Sequence, residues 1–296
     1  MKKDEKYFVI GCGYVGSKVA HHLANKPLIA LARSQHSQSR LQTLGIPWVY
    51  GDLDERDSLV KLPVKNTILY YFVPPPATGL VDSRLTNLCT SFEHLPQKII
   101  LISTTGVYGD CQGAWIDETQ PLNPQTDRAK RRVHAETVLQ QWAETQGVAI
   151  TIFRVPGIYG PDRLPLKRLQ QETPVLDPAI SPFSNRIHID DLVNACLVAR
   201  DREKTGIYNI SDGHPTTMTD FFNQVAQAFH FPLPPTVDWS QAKQQFSASM
   251  MSYLAESKRL DNRKMREQLG VIPRYSDLQT GLAQCVQSFH ETSLLG

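Results

Sequence analysis

Long apolar runs are missing from this 296-residue chain. None approaches the roughly 18 residues of a membrane-crossing helix, and no signal-peptide core follows the charged N-terminus. Paired cysteines are missing too. Cys12, Cys89, Cys111, Cys196 and Cys285 are dispersed, with no CxxC spacing. An odd, scattered set argues against a disulfide framework or a zinc site and fits free thiols in a reducing compartment. A charge excess of either sign is also absent: 31 Lys and Arg face 29 Asp and Glu, for a net +2. General nucleic-acid binders usually carry a strong basic excess. The chain is therefore expected to be cytoplasmic, with no nucleic-acid, membrane or metal partner.

What is present is enough for a core. Apolar residues make up 41% and charged residues 20%, which argues against disorder. The length suits one large α/β domain with a small lobe. The first 105 residues alternate short apolar runs with helical patterns. Tyr7 to Ile10, Leu28 to Ala32, Trp48 to Tyr50, Thr67 to Val73 and Ile99 to Ser103 read as strands. Val15, Val19 and Leu23 recur at helical spacing after the first strand. The fourth strand stops at Pro74-Pro75-Pro76, which cannot continue a ladder. Repeated strand-then-helix units predict a doubly wound parallel sheet with right-handed crossovers. Later, Val133 to Ala143 and Asp190 to Arg200 read as helices, and Ala149 to Val155 and Ile207 to Ile210 as strands. The expected division is a nucleotide-binding domain over 1–160 and a substrate lobe over 161–296. The lobe is interleaved with the last elements of the first domain.

Gly11-Cys12-Gly13-Tyr14-Val15-Gly16 has the form GxGxxG, between a strand and a helix. In that context it is a dinucleotide-binding turn. Gly11 permits the tight turn, Gly13 lets the backbone approach a pyrophosphate, and Gly16 lets helix and strand pack closely. The helix N-terminus then offers N–H groups to the phosphates. The acid that would hold a ribose 2′-OH is absent from the end of the second strand, which reads Leu31-Ala32-Arg33-Ser34. Arg33 there suits the 2′-phosphate of NADP, so NADP is expected over NAD. Asp52, after the third strand, is placed to accept from an adenine amino group or to serve as a plain turn residue.

These residues resemble the extended short-chain dehydrogenase/reductase superfamily, in its NAD(P)-dependent epimerase/dehydratase group and its atypical members. Further pieces carry the resemblance. They are Gly51-Asp52-Leu53, Ser103-Thr104-Thr105-Gly106-Val107-Tyr108-Gly109, Arg154 with Ile158-Tyr159-Gly160-Pro161, and Arg186-Ile187-His188-Ile189-Asp190-Asp191. The resemblance implies a Rossmann domain with a seven-stranded parallel sheet and a small C-terminal substrate lobe. It implies a cofactor set of Gly11 to Gly16, Arg33, Ser34, Asp52, Leu53, Val73, Pro74, Ser103 and Pro156. It also implies a small-molecule substrate, met by Tyr108, Tyr159 and Arg186. A homodimer would pair through the helix over 128–143, unless the basic run there hinders packing.

The family's chemistry uses a Ser or Thr with a YxxxK pair on a helix. The Lys charge and the cofactor lower the phenol pKa, so the Tyr moves a proton near neutrality. Here Thr104 takes the Ser/Thr position. Counting back from Glu136, Arg128 stands where Tyr is expected and Arg132 where Lys is expected. Arginine stays protonated, with a pKa above about 12, so Arg128 cannot do the phenol's work. Three readings follow. Tyr108, Tyr159, Asp127 or His188 carries the proton instead. Or the arginine pair polarises an anionic substrate. Or catalysis is lost and a dinucleotide-binding regulator or scaffold remains. A solvated basic helix face over Arg128 to Arg132 is the plain alternative. His188 reads as a structural histidine, and Asp190 and Asp191 as caps of the following helix.

Overall fold

The computed structural model describes residues 5–294. It divides into two compact units. The first takes in the chain up to Val107, Pro124–Arg154 and Val193–Tyr208. The second takes in Tyr108–Asn123, Val155–Leu192 and the chain from Asn209 onward.

The first unit is built on one seven-stranded sheet. Its strands are β1 (Lys6–Ile10), β2 (Leu28–Ala32), β3 (Trp48–Tyr50), β4 (Thr67–Tyr71), β5 (Lys98–Thr104), β6 (Ala149–Val155) and β7 (Gly206–Asn209). Their spatial order is β7-β6-β5-β4-β1-β2-β3. The order reverses at β1, where β4 and β2 flank it, both parallel to it; Phe8 pairs with Leu69 on one side and Ile29 on the other. Such a reversal opens a crevice at the carboxyl ends of the strands, where ligands of open α/β sheets bind. Every residue of β4 is buried, as befits a central parallel strand covered on both faces.

The crossovers include α1 (Tyr14–His22), α2 (Gln35–Thr43), α3 (Ser83–Ser91) and α4 (Asp127–Gln146). Leu85 and Leu88 of α3, with Ala135 and Leu139 of α4, join Phe8, Leu69, Ile99 and Leu101 in the main core. A fully buried leucine contributes about 1.5–3 kcal/mol. Helix α4 starts where the Thr126 hydroxyl accepts from the Ala129 N–H, and stops at Gly147, with φ of 67°. The edge strand β7 is tied in by polar groups. Lys98 Nζ donates to the carbonyls of Asp201 and Lys204, at 2.6 and 2.7 Å.

The second unit has its own core, of Tyr159, Leu169, Phe221, Phe222, Val225, Leu278 and Leu282. Short two-stranded pairings surround it, among them Arg186–His188 with Gly157–Tyr159. Asp191 is not a helix cap. Its two carboxylate oxygens accept from the N–H groups of Arg274 and Tyr275, anchoring a segment 83 and 84 residues away. The helix instead begins at Ile189, and the Asp190 N–H donates to His188 Nδ1. His188 is structural, as expected: it is buried, bonds Gln284 and packs on Tyr159 and Tyr275.

Asp212 is the costly group of this unit. It is buried, and its Oδ2 has no partner among the described residues. Burial pushes its carboxyl up to about 7, against Arg186 and the His214 N–H. The folded state thus keeps a proton that the unfolded chain, near 3.8, gives up. This group's contribution is fullest below about pH 4 and declines as pH rises toward about 7. Asp212→Asn should remove that slope. The expected result is a melting temperature above wild type at pH 8, with the difference vanishing by pH 4. An equal difference at both pH values would contradict it.

Candidate functional site

The glycine turn lies at the end of β1. Gly11 has φ of +95°, and a Cβ there would lie 2.9 Å from Val73 Cγ2. A Cβ on Gly16 would lie 2.2 Å from the Gly11 carbonyl oxygen, so only glycine lets α1 sit this close to β1. Gly13 differs: a Cβ there would meet nothing within 4 Å. Packing therefore explains Gly11 and Gly16 and leaves Gly13 facing open space. That opening fits a pyrophosphate approaching the backbone. Helix α1 has Gly13 as its N-cap, with no side-chain cap and no acid in the first turn. Its first N–H groups thus carry uncompensated positive charge.

Beside the turn lies a cavity of about 420 Å³, wholly within the first unit. Gly11, Cys12, Gly13, Arg33, Asp52, Leu53, Val73 and Pro74 line it together. Tyr14, Val15 and Gly16 form the adjoining helix turn. Burial pushes the Cys12 thiol up to about 11, so it is no nucleophile at neutral pH. Asp52 Oδ1 accepts from the Asp54 N–H at 3.0 Å. The Ser34 hydroxyl caps α2 by accepting from the Ser37 N–H. Four further polar lining residues, His36, Ser37, Arg40 and Arg84, escape the sequence reading. His36, Ser37 and Arg40 sit in a stretch that looks merely polar, and Arg84 on a helix it does not predict.

The other expected site residues lie elsewhere. Ser103 is buried and its hydroxyl donates to Glu136 Oε1 at 2.5 Å. Glu136 also receives Arg154, with Nη2 to Oε2 at 2.8 Å. Thr104 ends β5, and its Oγ1 accepts from the Gly106 N–H at 3.3 Å, leaving the hydroxyl proton to donate. In the second unit, Tyr108 is buried and donates to Asn209 Oδ1 at 2.7 Å. Tyr159 is buried, and its hydroxyl has no partner among the described residues. Arg186 is buried over the Phe221 ring at 4.3 Å, and its Nη1 donates to the Asn185 carbonyl. Pro156 also belongs to that unit.

The basic run of α4 is only partly a solvated face. Arg128 is exposed, and so is Lys130, which lies 3.8 Å from Asp127. Arg131, Arg132 and His134 instead grip the loop between β4 and α3. Arg131 Nη1 donates to the Gly79 carbonyl at 2.5 Å, and Arg132 Nη1 to the Val73 carbonyl at 3.4 Å. His134 Nδ1 accepts from the Asp82 N–H at 3.2 Å. Desolvation pulls the Arg132 pKa below the ordinary arginine value, and the charge of Asp82 opposes that fall. Asp82 itself is buried, which raises its carboxyl, and its Oδ2 has no partner among the described residues. Since Val73 also walls the cavity, Arg132 sits at the cavity's edge.

No group of acids, histidines and cysteines suited to a metal occurs among the described residues, and no described helix is long and apolar enough to cross a membrane. A glycine turn at the switch point of a parallel sheet, opening on a cationic cavity, defines a Rossmann-type dinucleotide-binding protein. Residues 78–211 match the NAD dependent epimerase/dehydratase family. The chain is 31% identical over 294 residues to Protein YeeZ of Escherichia coli (strain K12), covering 92% of this chain and 97% of that one. A functionally unknown conserved protein from Silicibacter pomeroyi DSS is 27% identical with a TM-score of 0.75, over 97% of this chain and 99% of that one. MoeE5, solved in complex with UDP-glucose and NAD, shares the fold with a TM-score of 0.74 at 19% identity, over 97% and 99%. The chain belongs to the NAD-dependent epimerase/dehydratase family of extended short-chain dehydrogenases/reductases.

Proposed function

We propose that this protein is an NADP-dependent oxidoreductase or epimerase/dehydratase acting on a small sugar-like or carbonyl substrate. The observation that carries the reading is the cavity beside Gly13, where a glycine without packing reason faces an arginine-rich wall. When bound, the nicotinamide supplies hydride exchange. The turn from Gly11 to Gly16 holds the pyrophosphate by its backbone. Arg33 faces the adenosine end. Thr104 directs its free hydroxyl proton to a substrate oxygen. Arg132, tied to the Val73 carbonyl, supplies positive charge at the cavity's edge. Arg128 is an exposed cation one helical turn before it, on the same face. It binds an anionic or strongly polar group and transfers no proton.

The Arg128 and Arg132 pair also favours a second reading, a dinucleotide-binding regulator without turnover. One experiment separates the two. Arg128→Tyr with Arg132→Lys restores the family's proton-transfer pair. If the site still reacts, the double variant should turn over carbonyl substrates about 100-fold faster than wild type, from regained acid/base catalysis. Absence of hydride exchange in both proteins, across carbonyl and sugar panels, would favour the regulator.

A further inference from the structure

A second cavity, of about 400 Å³, lies wholly within the second unit. Its apolar wall carries Ile180, Phe183, Trp239 and Leu254. Leu254 belongs to a small core cluster with Leu176 and Val237, and Trp239 packs on that cluster. Phe183 is held by the Arg259 guanidinium, 4.7 Å from its ring centre. The polar wall is the turn over 110–113, stapled to Ser257. The Ser257 N–H donates to Asp110 Oδ1 at 2.8 Å, and the Ser257 carbonyl accepts from the Cys111 and Gly113 N–H groups at 3.1 and 2.9 Å. Ser257 Oγ accepts from the Phe183 N–H at 3.0 Å, which ties the polar wall to the apolar one. The cavity is thus pre-organised, so a ligand pays little to order it.

The polar side chains of the lining keep capacity to spare. Asp110 Oδ1 accepts from the N–H groups of Gln112 and Ser257, and Oδ2 has no partner among the described residues. The Gln112 side chain is exposed. Ser181 Oγ accepts from the Thr219 N–H at 3.1 Å, so Ser181 and Ser257 both keep a hydroxyl proton to donate. Asp110 is the one charged group among the described lining residues. The neighbouring cations are engaged. Arg259 stacks between Phe183 and Trp115, and its Nε donates to the Gly113 carbonyl at 2.7 Å. Lys258 Nζ pairs with Glu256 at 2.6 Å. A diphosphate in this cavity would meet a carboxylate and no lining cation.

We infer that this cavity binds an uncharged hydroxylated ring, a free sugar or its simple glycoside, and rejects nucleotide diphosphates. Each hydroxyl of such a ring both donates and accepts, which matches Asp110 Oδ2, the Gln112 amide and the two serine hydroxyls. The C–H face of the ring packs on Trp239 and Phe183, as apolar walls with a few placed polar groups hold small ligands elsewhere. The inference narrows the substrate class of the proposed function, and rests on it in that respect alone.

The test is saturation-transfer NMR titration of the full chain, without cofactor, as wild type, Asp110→Asn and Gln112→Gly. The probes are methyl glucoside, methyl galactoside and myo-inositol, with glucose 6-phosphate and UDP-glucose as competitors. The amide of Asp110→Asn keeps an oxygen for the N–H groups of the turn. Glycine suits residue 112, whose φ is 53°. Circular dichroism checks both folds. The expected result is millimolar binding of at least one uncharged probe, about tenfold weaker in Asp110→Asn and about threefold weaker in Gln112→Gly. Neither phosphorylated competitor should displace it. Displacement by either competitor, binding unchanged in both variants, or no uncharged probe bound below about 10 mM would each overturn the inference. Hydride exchange is no part of this readout, so loss of the proposed activity and loss of sugar binding are told apart.

Discussion

A chain carrying Gly13→Asp is expected to fold like wild type and to bind either dinucleotide more than about 100-fold more weakly. The two halves of this result come from different observations. A Cβ at residue 13 meets nothing within 4 Å, and its φ of −78° lies outside the left-handed region, so the added side chain meets no packing clash. The added carboxylate would occupy the space left for a pyrophosphate and repel its charge. Gly16→Ala makes the contrast. Its Cβ would press on the Gly11 carbonyl oxygen at 2.2 Å, so it should lower stability along with binding. Equilibrium unfolding beside cofactor titration checks both. Retained dinucleotide binding in Gly13→Asp would disprove the placement of the phosphates.

The largest stability effect is expected at Glu136. Its carboxylate is 1% exposed and receives Ser103 from β5 and Arg154 from β6. Glu136→Leu would leave the Arg154 guanidinium buried with its counter-charge gone. That should cost about 3–5 kcal/mol, read as a lower denaturant midpoint at unchanged slope. Adding Arg154→Met removes the stranded charge and should recover most of the loss, because an apolar pair of similar volume is often neutral in such places. A double variant no more stable than Glu136→Leu would show that the triad acts through something other than charge compensation. The triad also fixes the register of α4 against the sheet. It therefore bears on where Arg128 and Arg132 stand.

The parallel sheet and the phosphate turn were legible because buried strands leave short apolar runs, and because GxGxxG between strand and helix has a packing reason at Gly16. Helix α2 was not legible as a helix: Leu41 is its one buried residue, so no apolar stripe marks it. Helix α3 hides behind Pro74-Pro75-Pro76 and an exposed loop, where Leu80 is 52% and Val81 51% accessible. Arg40 and Arg84 were missed with them. Helix α4 begins six residues before the apolar pattern at Val133, because its first turns carry Asp127 and the basic residues. The basic run itself was ambiguous. Spacing puts Arg128 and Arg132 on one face, but only the fold shows Arg131, Arg132 and His134 gripping Gly79, Val73 and Asp82. Nothing in the local sequence marks partners more than 50 residues away.

The central claim is a dinucleotide site whose charge selects NADP. Titrating the intact wild-type protein with NADP⁺ and with NAD⁺, at equal ionic strength, tests it most directly. The account predicts one NADP⁺ per chain, bound at least about tenfold more tightly than NAD⁺. Tighter binding of NAD⁺, or binding of neither, would contradict it.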